Sequence, residues 1–124
     1  MKEIRGEELP QPVGAYSVAV ESDAKGFIFL SGQLPIKDGQ LLKGDFKEQV
    51  KAILENCKKI LEAAGSSLDK VVKVTVFISD MGKFGVLNEV YSKYFKPPYP
   101  ARAVVEVSRL PKDADIEIEM IAEK

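Results

Sequence analysis

Apolar residues recur along this 124-residue chain with two different periods, and the order of the two periods leaves few folds open. Over residues 46–64 they return every three or four positions, which is the spacing of one helix face. Asp45 and Glu48 stand where a capping box would begin that helix, and Gly65 stands where a left-handed residue would end it. The helix predicted here has an apolar face made of Phe46, Val50, Ile53, Leu54, Cys57, Ile60, Leu61 and Ala64.

The same spacing returns later and predicts a second helix over residues 83–95. Asp80 is its expected N-cap, and the pair Pro97-Pro98 ends the pattern because proline cannot continue a helix. Its apolar face comprises Phe84, Leu87, Val90, Tyr91, Tyr94 and Phe95.

Strict alternation of apolar residues, which is typical of strands, occupies the segments around these helices. A polar turn joins the first two such strands, and Ile4 with its neighbours adds a short edge strand. The order of elements predicts a single α+β domain over residues 1–124, in which two helices cover one face of a mixed sheet. The predicted strands span residues 16–20, 27–30, 72–78, 102–108 and 116–121.

One predicted strand is apolar on both of its faces. Phe27 and Phe29 point one way, while Ile28 and Leu30 point the other way. Two helices cover one face of a sheet, so the second apolar face needs a different cover. In so short a chain the natural cover is another copy of the chain, because a large exposed apolar patch marks an interface. The pattern predicts self-association without setting the number of copies.

Charge and cysteine content limit the partners and the location. Lys and Arg number 18 against 19 Asp and Glu, so no excess of cations is present to neutralise the phosphates of a nucleic acid. No apolar run approaches the ~20 residues that a bilayer span needs, and residues 1–5 lack the apolar centre of a signal peptide. Cys57 is the one cysteine, which excludes an intrachain disulfide and fits a reducing compartment. We therefore expect a cytoplasmic protein without a membrane partner.

The chain contains no histidine, and this absence narrows the chemistry. Zinc and iron sites of the usual imidazole or thiolate kinds cannot be built from one cysteine alone. Triads that use histidine as the base are excluded as well. Any acid–base step near neutral pH must use a carboxyl group, a tyrosine, a lysine or a positioned water.

Eight short blocks carry a resemblance to a known family. No single block is decisive, but their order and spacing make the chain resemble the RidA/YjgF family from about residue 9 to residue 122. The blocks are residues 13–17 (VGAYS), 29–35 (FLSGQLP), 44–46 (GDF), 63–68 (AAGSSL), 72–78 (VKVTVFI), 88–91 (NEVY), 99–102 (YPAR) and 116–119 (IEIE).

The resemblance implies a fold, an assembly and an activity. The fold would be chorismate-mutase-like, with three subunits packing their sheets into a central barrel and a cleft between each pair of neighbours. The implied activity is the hydrolysis of 2-imino acids, such as 2-iminobutanoate and 2-iminopropanoate, to 2-oxoacids and ammonia without a cofactor. These imines arise when pyridoxal-phosphate dehydratases release an enamine, so such enzymes are the expected functional partners.

Two residues are the candidate catalytic groups on this resemblance. Arg102 matches the family arginine that binds the substrate carboxylate, a task suited to the planar fork of guanidinium donors. Its parity places it opposite Ala103 and Val105, away from the expected helix-covered core; the alternative is a solvated strand arginine. Glu119 matches the family glutamate that positions or activates water, although Glu119 also fits an outward acidic stripe on its strand.

Four further residues match positions that line the family cleft. Tyr16, Ser31 and Gly32 would hold the polar end of the substrate, Gly32 by allowing a close approach of the backbone. Asn88 on the second helix matches an asparagine close to the site. Each has a simpler alternative: Tyr16 as a core aromatic, Ser31 and Gly32 as a turn after a strand, and Asn88 as a donor to a loop carbonyl.

The chain also departs from the family pattern near these positions. Ala15 stands where proline is common, Val18 where glutamine is frequent, and Ala103 and Val104 where a hydroxyl residue and cysteine often follow the arginine. These departures put the side-chain preference for the substrate in doubt more than the reaction class. They also keep open a second hypothesis, in which the cleft binds 2-oxoacids or amino acids without turnover. A ribonuclease or translation-inhibitor role is a third hypothesis, which the balanced charge and the absence of histidine disfavour.

Overall fold

A four-stranded mixed sheet with two helices on one face forms the centre of the structure, a computed structural model that describes residues 1–9, 12, 14–17 and 20–124. The expected α+β class is confirmed. In chain order the strands are β1 (Lys2–Glu3), β2 (Val20–Glu21), β3 (Phe27–Gln33), β4 (Ile36–Lys37), β5 (Gln40–Leu41), β6 (Val71–Ile78), β7 (Ala101–Glu106) and β8 (Ile116–Glu123), and the α-helices are α1 (Phe46–Ala63) and α2 (Phe84–Tyr91).

The central sheet has the strand order β3-β8-β6-β7, so β3 and β7 form its two edges. β8 pairs antiparallel with both β3 and β6, while β6 and β7 are parallel and are connected through α2. One row of paired residues crosses the whole sheet from edge to edge. It runs through Leu30, Met120, Val74 and Arg102.

The two faces of this sheet are covered differently. Side chains of alternate residues on β6 and β8 are buried beneath α1 and α2, where they form the hydrophobic core. The opposite face, called the open face here, bears Phe27, Phe29 and Val105, and the Phe29 side chain is 71% exposed. Since Leu30 is buried and Ile28 packs against the core, the prediction that this strand is apolar on both faces is confirmed.

The first helix forms where the sequence predicts it. The Asp45 carboxylate accepts hydrogen bonds from the backbone N–H groups of Lys47 (3.0 Å) and Glu48 (3.4 Å), which satisfies two of the free donors at the helix start. Gly65 has φ +79° and follows the C-cap, as expected of a left-handed residue that ends a helix.

The second helix is shorter than predicted. Residues Met81–Lys83 form a 3-10 turn capped by the Asp80 side chain, and α2 ends at Tyr91 rather than at residue 95. The N–H groups of Lys93 and Tyr94 bond to carbonyls three residues back, at Val90 and Tyr91, so the chain tightens into turns. Phe95 is nevertheless buried in the core.

The amino-terminal strands also differ from the prediction. β2 pairs with β1 in a separate two-stranded sheet and does not form a hairpin with β3. Residues 18 and 19 of the strand predicted over residues 16–20 lie outside the described residues. The pair β4–β5 has no counterpart in the prediction, because two-residue strands carry too little alternation to be recognised. In the described part of the chain, no helix is long and apolar enough to cross a membrane.

Candidate functional site

Arg102 lies on the face of the sheet that the helices cover, which corrects the orientation expected from its parity. It pairs with Val74 in the parallel ladder between β6 and β7, and paired residues of neighbouring strands point to the same side. Val74 is fully buried in the core, so the Arg102 side chain points toward α2. Ala103 and Val105 pair with Thr75 and Phe77 and lie on the open face. The parity rule failed because β7 has apolar residues on both faces.

Side chains of α2 surround the Arg102 guanidinium. One of its terminal nitrogens donates a hydrogen bond to the Asn88 side-chain oxygen at 2.8 Å. The guanidinium carbon lies 4.7 Å from the centre of the Tyr91 ring and 5.8 Å from that of Phe84. Distances of this size correspond to cation–π contacts. Asn88 therefore contacts Arg102 itself, a role that sequence reasoning did not assign to it.

Tyr16 joins this cluster from the amino-terminal segment. Its ring centre lies 5.8 Å from the guanidinium carbon of Arg102. The next residue, Ser17, forms a parallel bridge with Ala101, and its N–H donates to the Pro100 carbonyl at 3.1 Å. This short pairing attaches the amino-terminal segment to the start of β7 and so places Tyr16 beside Arg102.

The charge of Arg102 has no acidic counterpart within the part of the chain that is described. No carboxylate of those residues forms an ion pair with it, whereas the two exposed arginines, Arg5 and Arg109, pair with Glu3 and Asp113. Partial burial lowers the pKa of Arg102, and the nearby Tyr91 and Tyr16 oppose that shift. Arginine remains charged through the physiological range. A half-buried cation without a carboxylate partner is suited to bind an anion.

Ser31 and Gly32 form a bulge near the carboxyl end of β3. Leu30 pairs with Met120 and Gln33 with Ile118, so two residues of β3 stand opposite one residue of β8. Both bulge residues are exposed. A Cβ atom at position 32 would lie 2.6 Å from the carboxyl carbon of Glu117, so a side chain there would displace that carboxylate. The bulge therefore presents backbone, a hydroxyl and the Glu117 carboxylate together.

Glu119 lies on the open face, two residues further along β8. It pairs with Thr75 of β6 and lines a hollow of about 210 Å³ together with Phe29 and Lys73. Glu117 has the same parity, but it is the glutamate that packs against Gly32. The IEIE block contains both glutamates, and sequence spacing alone could not distinguish them. The contact with the bulge favours Glu117 as the carboxylate that accompanies Ser31 and Gly32.

The two halves of the predicted site lie far apart within one chain. Ser31 and Gly32 are on the edge strand β3, and Arg102 is on the opposite edge strand β7, with β8 and β6 between them. Three steps of about 4.8 Å separate these edges, or roughly 14 Å. Arg102 also points to the helix side, while Glu117 and Glu119 point to the open side. The structure gathers Arg102, Asn88 and Tyr16 in one cluster and Ser31, Gly32 and Glu117 in another.

The remaining sequence candidates have clear positions. Cys57 is fully buried in α1, and burial raises the pKa of its thiol to about 12, so it is a core residue as expected. Ala15, which replaces the common proline, packs against the core, and so does Val104. Val18, the other departure in this segment, lies outside the described residues. The sequence predicted Phe84 only as part of the apolar face of the second helix. Its contact with Arg102 could not be predicted, because that contact depends on how α2 crosses β7.

Comparison with known proteins finds close relatives along the whole chain. A family model described as endoribonuclease L-PSP matches residues 6–124. A RutC family protein of Pyrococcus horikoshii is 55% identical over 100% of this chain and 99% of its own length. The mouse protein named 2-iminobutanoate/2-iminopropanoate deaminase is 42% identical over 98% of this chain and 90% of its own. The crystal structure of RidA from a Psychrobacter species is 42% identical, covers both chains fully and superimposes with a TM-score of 0.76.

Proposed function

Because this chain belongs to the endoribonuclease L-PSP family, also called the RidA/YjgF family, we propose that it hydrolyses 2-imino acids to 2-oxoacids and ammonia. The observation that carries the proposal is the half-buried Arg102 without a carboxylate partner among the described residues. A 2-imino acid bears the carboxylate that such a guanidinium binds. The 42% identity to a protein named as an imine deaminase supports the reaction class.

A second copy of the chain completes the site in this proposal. Arg102, with Asn88 and Tyr16 beside it, comes from one chain, and the bulge at Ser31 and Gly32 comes from its neighbour. The roughly 14 Å between the two edges of one sheet supports this division, because a small substrate cannot contact both clusters of the same chain. We propose the trimer with a central barrel as the assembly, with the exposed apolar residues of the open face buried between chains.

The proposed reaction needs water addition and two proton transfers. Arg102 holds the carboxylate, and Ser31 with the Gly32 backbone orients the imine. A glutamate accepts a proton from water as the oxygen attacks the imine carbon, and that proton passes to nitrogen. The same carboxylate then carries the hydroxyl proton of the tetrahedral intermediate to the amino nitrogen, and the C–N bond breaks to release ammonia and leave the 2-oxoacid. We assign this proton-carrying role to Glu117, with Glu119 as the alternative. No step requires a histidine, which the chain lacks.

The expected source of substrate is a pyridoxal-phosphate dehydratase that releases an enamine. Threonine dehydratase therefore provides the assay: it generates the imine, semicarbazide traps it, and this protein competes with the trap. We expect wild-type protein to suppress semicarbazone formation. Arg102→Ala should reduce that activity at least about a hundredfold, because a lost donor to developing charge typically costs ~3 kcal/mol.

Two results would redirect the proposal. Equal suppression by wild type and Arg102→Ala would remove the carboxylate role of Arg102. Binding of 2-oxobutanoate without any suppression would favour a binding module that performs no turnover. The family name endoribonuclease L-PSP also raises the question of ribonuclease activity, so the same preparation should be incubated with RNA after a high-salt wash. We expect no Arg102-dependent cleavage, because the net charge of −1 and the absence of histidine disfavour it.

A further inference from the structure

One short helix supplies most of the contacts that hold the Arg102 guanidinium. Phe84, Asn88 and Tyr91 follow one another on α2 at spacings of four and three residues, so their side chains share one face of the helix. All three contact the same side chain on β7. An arginine has many rotamers, and ordering it costs free energy that a ligand would otherwise have to supply.

Tyr91 makes the closest of the aromatic contacts and is itself packed in the core. Its ring centre lies 4.7 Å from the guanidinium carbon, and the Phe95 ring stacks on it at 4.4 Å with an interplanar angle of 25°. Tyr91 is fully buried. Its hydroxyl is buried too and has no hydrogen-bond partner among the described residues, so the contact with Arg102 is made by the ring.

We propose that Tyr91 is a positioning residue, whose buried ring face holds the Arg102 guanidinium ready for the carboxylate of the substrate. This inference rests on the proposed function, because it concerns how the same clamp is ordered. Asn88 accepts a hydrogen bond from one terminal nitrogen, and the Tyr91 ring lies against the guanidinium carbon. A guanidinium has five N–H donors, so donors remain for a carboxylate after the bond to Asn88 is made.

The contributions of the Tyr91 ring and of its hydroxyl can be separated by substitution. Tyr91→Phe keeps the aromatic face and removes the unpartnered hydroxyl, while Tyr91→Leu removes the aromatic face. Phe95→Leu is the matched control, because it perturbs the same buried stack without touching Arg102. The affinity for 2-oxobutanoate, measured by titration calorimetry on the purified oligomer, should be kept in Tyr91→Phe and Phe95→Leu. It should fall about 3- to 30-fold in Tyr91→Leu, the range of a partly desolvated cation–π contact.

A second measurement reads the arginine directly and needs no ligand. The chain has three arginines, and Arg5 and Arg109 have side chains that are 70% and 80% exposed. The ¹⁵N relaxation of the three Nε–H groups therefore compares Arg102 with two exposed, surface-paired references. In wild-type protein we expect the Arg102 Nε–H to be as rigid as the backbone. It should stay rigid in Tyr91→Phe and become mobile in Tyr91→Leu.

The outcomes separate this inference from the proposed function. An Arg102 Nε–H as mobile as those of Arg5 and Arg109 in wild-type protein would overturn the positioning role, even if Tyr91→Leu did not fold. Equal rigidity and equal affinity in Tyr91→Leu and Tyr91→Phe would overturn it as well, while leaving the deaminase proposal intact. A rigid Arg102 in a protein that neither binds 2-oxobutanoate nor suppresses semicarbazone formation would support the positioning of the side chain and refute its proposed purpose.

Discussion

At the scale of single residues, the most informative feature is a cation whose surroundings are aromatic and amide groups. Arg102 contacts Tyr91, Phe84, Tyr16 and Asn88, and none of these neutralises its charge. Desolvation of a charge is costly unless a partner compensates for it. The free energy lost on burying Arg102 is therefore available to be recovered when an anion binds.

Glu117 and Glu119 of β8 provide a prediction at this scale. Glu117→Gln should abolish most imine hydrolysis, because it removes the proton carrier that packs against Gly32. Glu119→Gln is the matched control on the same strand and face, and it should lose much less activity. The semicarbazide competition assay measures both variants. The opposite order of activities would return the role to Glu119.

The sequence made Arg102 a candidate site residue, but the expected direction of its side chain was wrong. Its strand has apolar residues of both parities, such as Val104 and Val105, so alternation could not tell the two faces apart. The register with Val74 decides the matter, and that pairing is a long-range property. The contact of Glu117 with Gly32 could not be predicted for a similar reason, because it depends on a bulge in β3 that no local pattern reveals.

At the scale of elements, local signals located α1 well and α2 less well. For α1 the apolar spacing and both end signals agree. Asp45 and Gly65 each lie within one turn of the helix end that they set. The apolar spacing of α2 continues to Phe95, yet the helix ends at Tyr91 and the later residues reach the core from turns. Phe95 is therefore buried as the apolar pattern predicts, although its backbone is not helical.

The cap of α1 gives a prediction about stability. Asp45→Ala leaves the N–H groups of Lys47 and Glu48 without their side-chain acceptor and should lower the free energy of unfolding by about 1 kcal/mol. Asp45→Asn keeps an acceptor oxygen and should lose less. Urea unfolding at one fixed chain concentration measures both variants, since association also affects the midpoint. Equal losses would show that the cap bond is not what stabilises the helix start.

At the scale of the whole molecule, the open face has exposed apolar residues that we expect another protein surface to cover. Phe29, which is 71% exposed, projects from the edge strand β3, and its ring centre lies 6.5 Å from that of Phe27. The sequence predicted this exposed apolar face, because one strand has apolar residues on both sides, and self-association through it stays a prediction. Local pattern does not set the number of copies, because that number depends on how two curved surfaces meet.

Charge placed on the open face should break the assembly. We expect Phe29→Lys to shift the molar mass measured by light scattering from about three times the 13.7 kDa chain mass toward that of a single chain. Ile60→Lys is the control, because Ile60 is a partly exposed apolar residue on α1, away from that face. An unchanged mass for Phe29→Lys would mean that the open face is not the interface.

In the proposed assembly, each site takes its arginine from one chain and its bulge and glutamate from another. Mixing two inactive variants tests it most directly: Arg102→Ala and whichever of Glu117→Gln and Glu119→Gln lacks activity, refolded together at equal amounts. About one quarter of the clefts should then combine both intact residues, since each cleft draws its two chains independently. We expect imine hydrolysis to return to about that fraction of the wild-type activity. A mixture as inactive as its two components, in verified mixed oligomers, would contradict a site shared between chains.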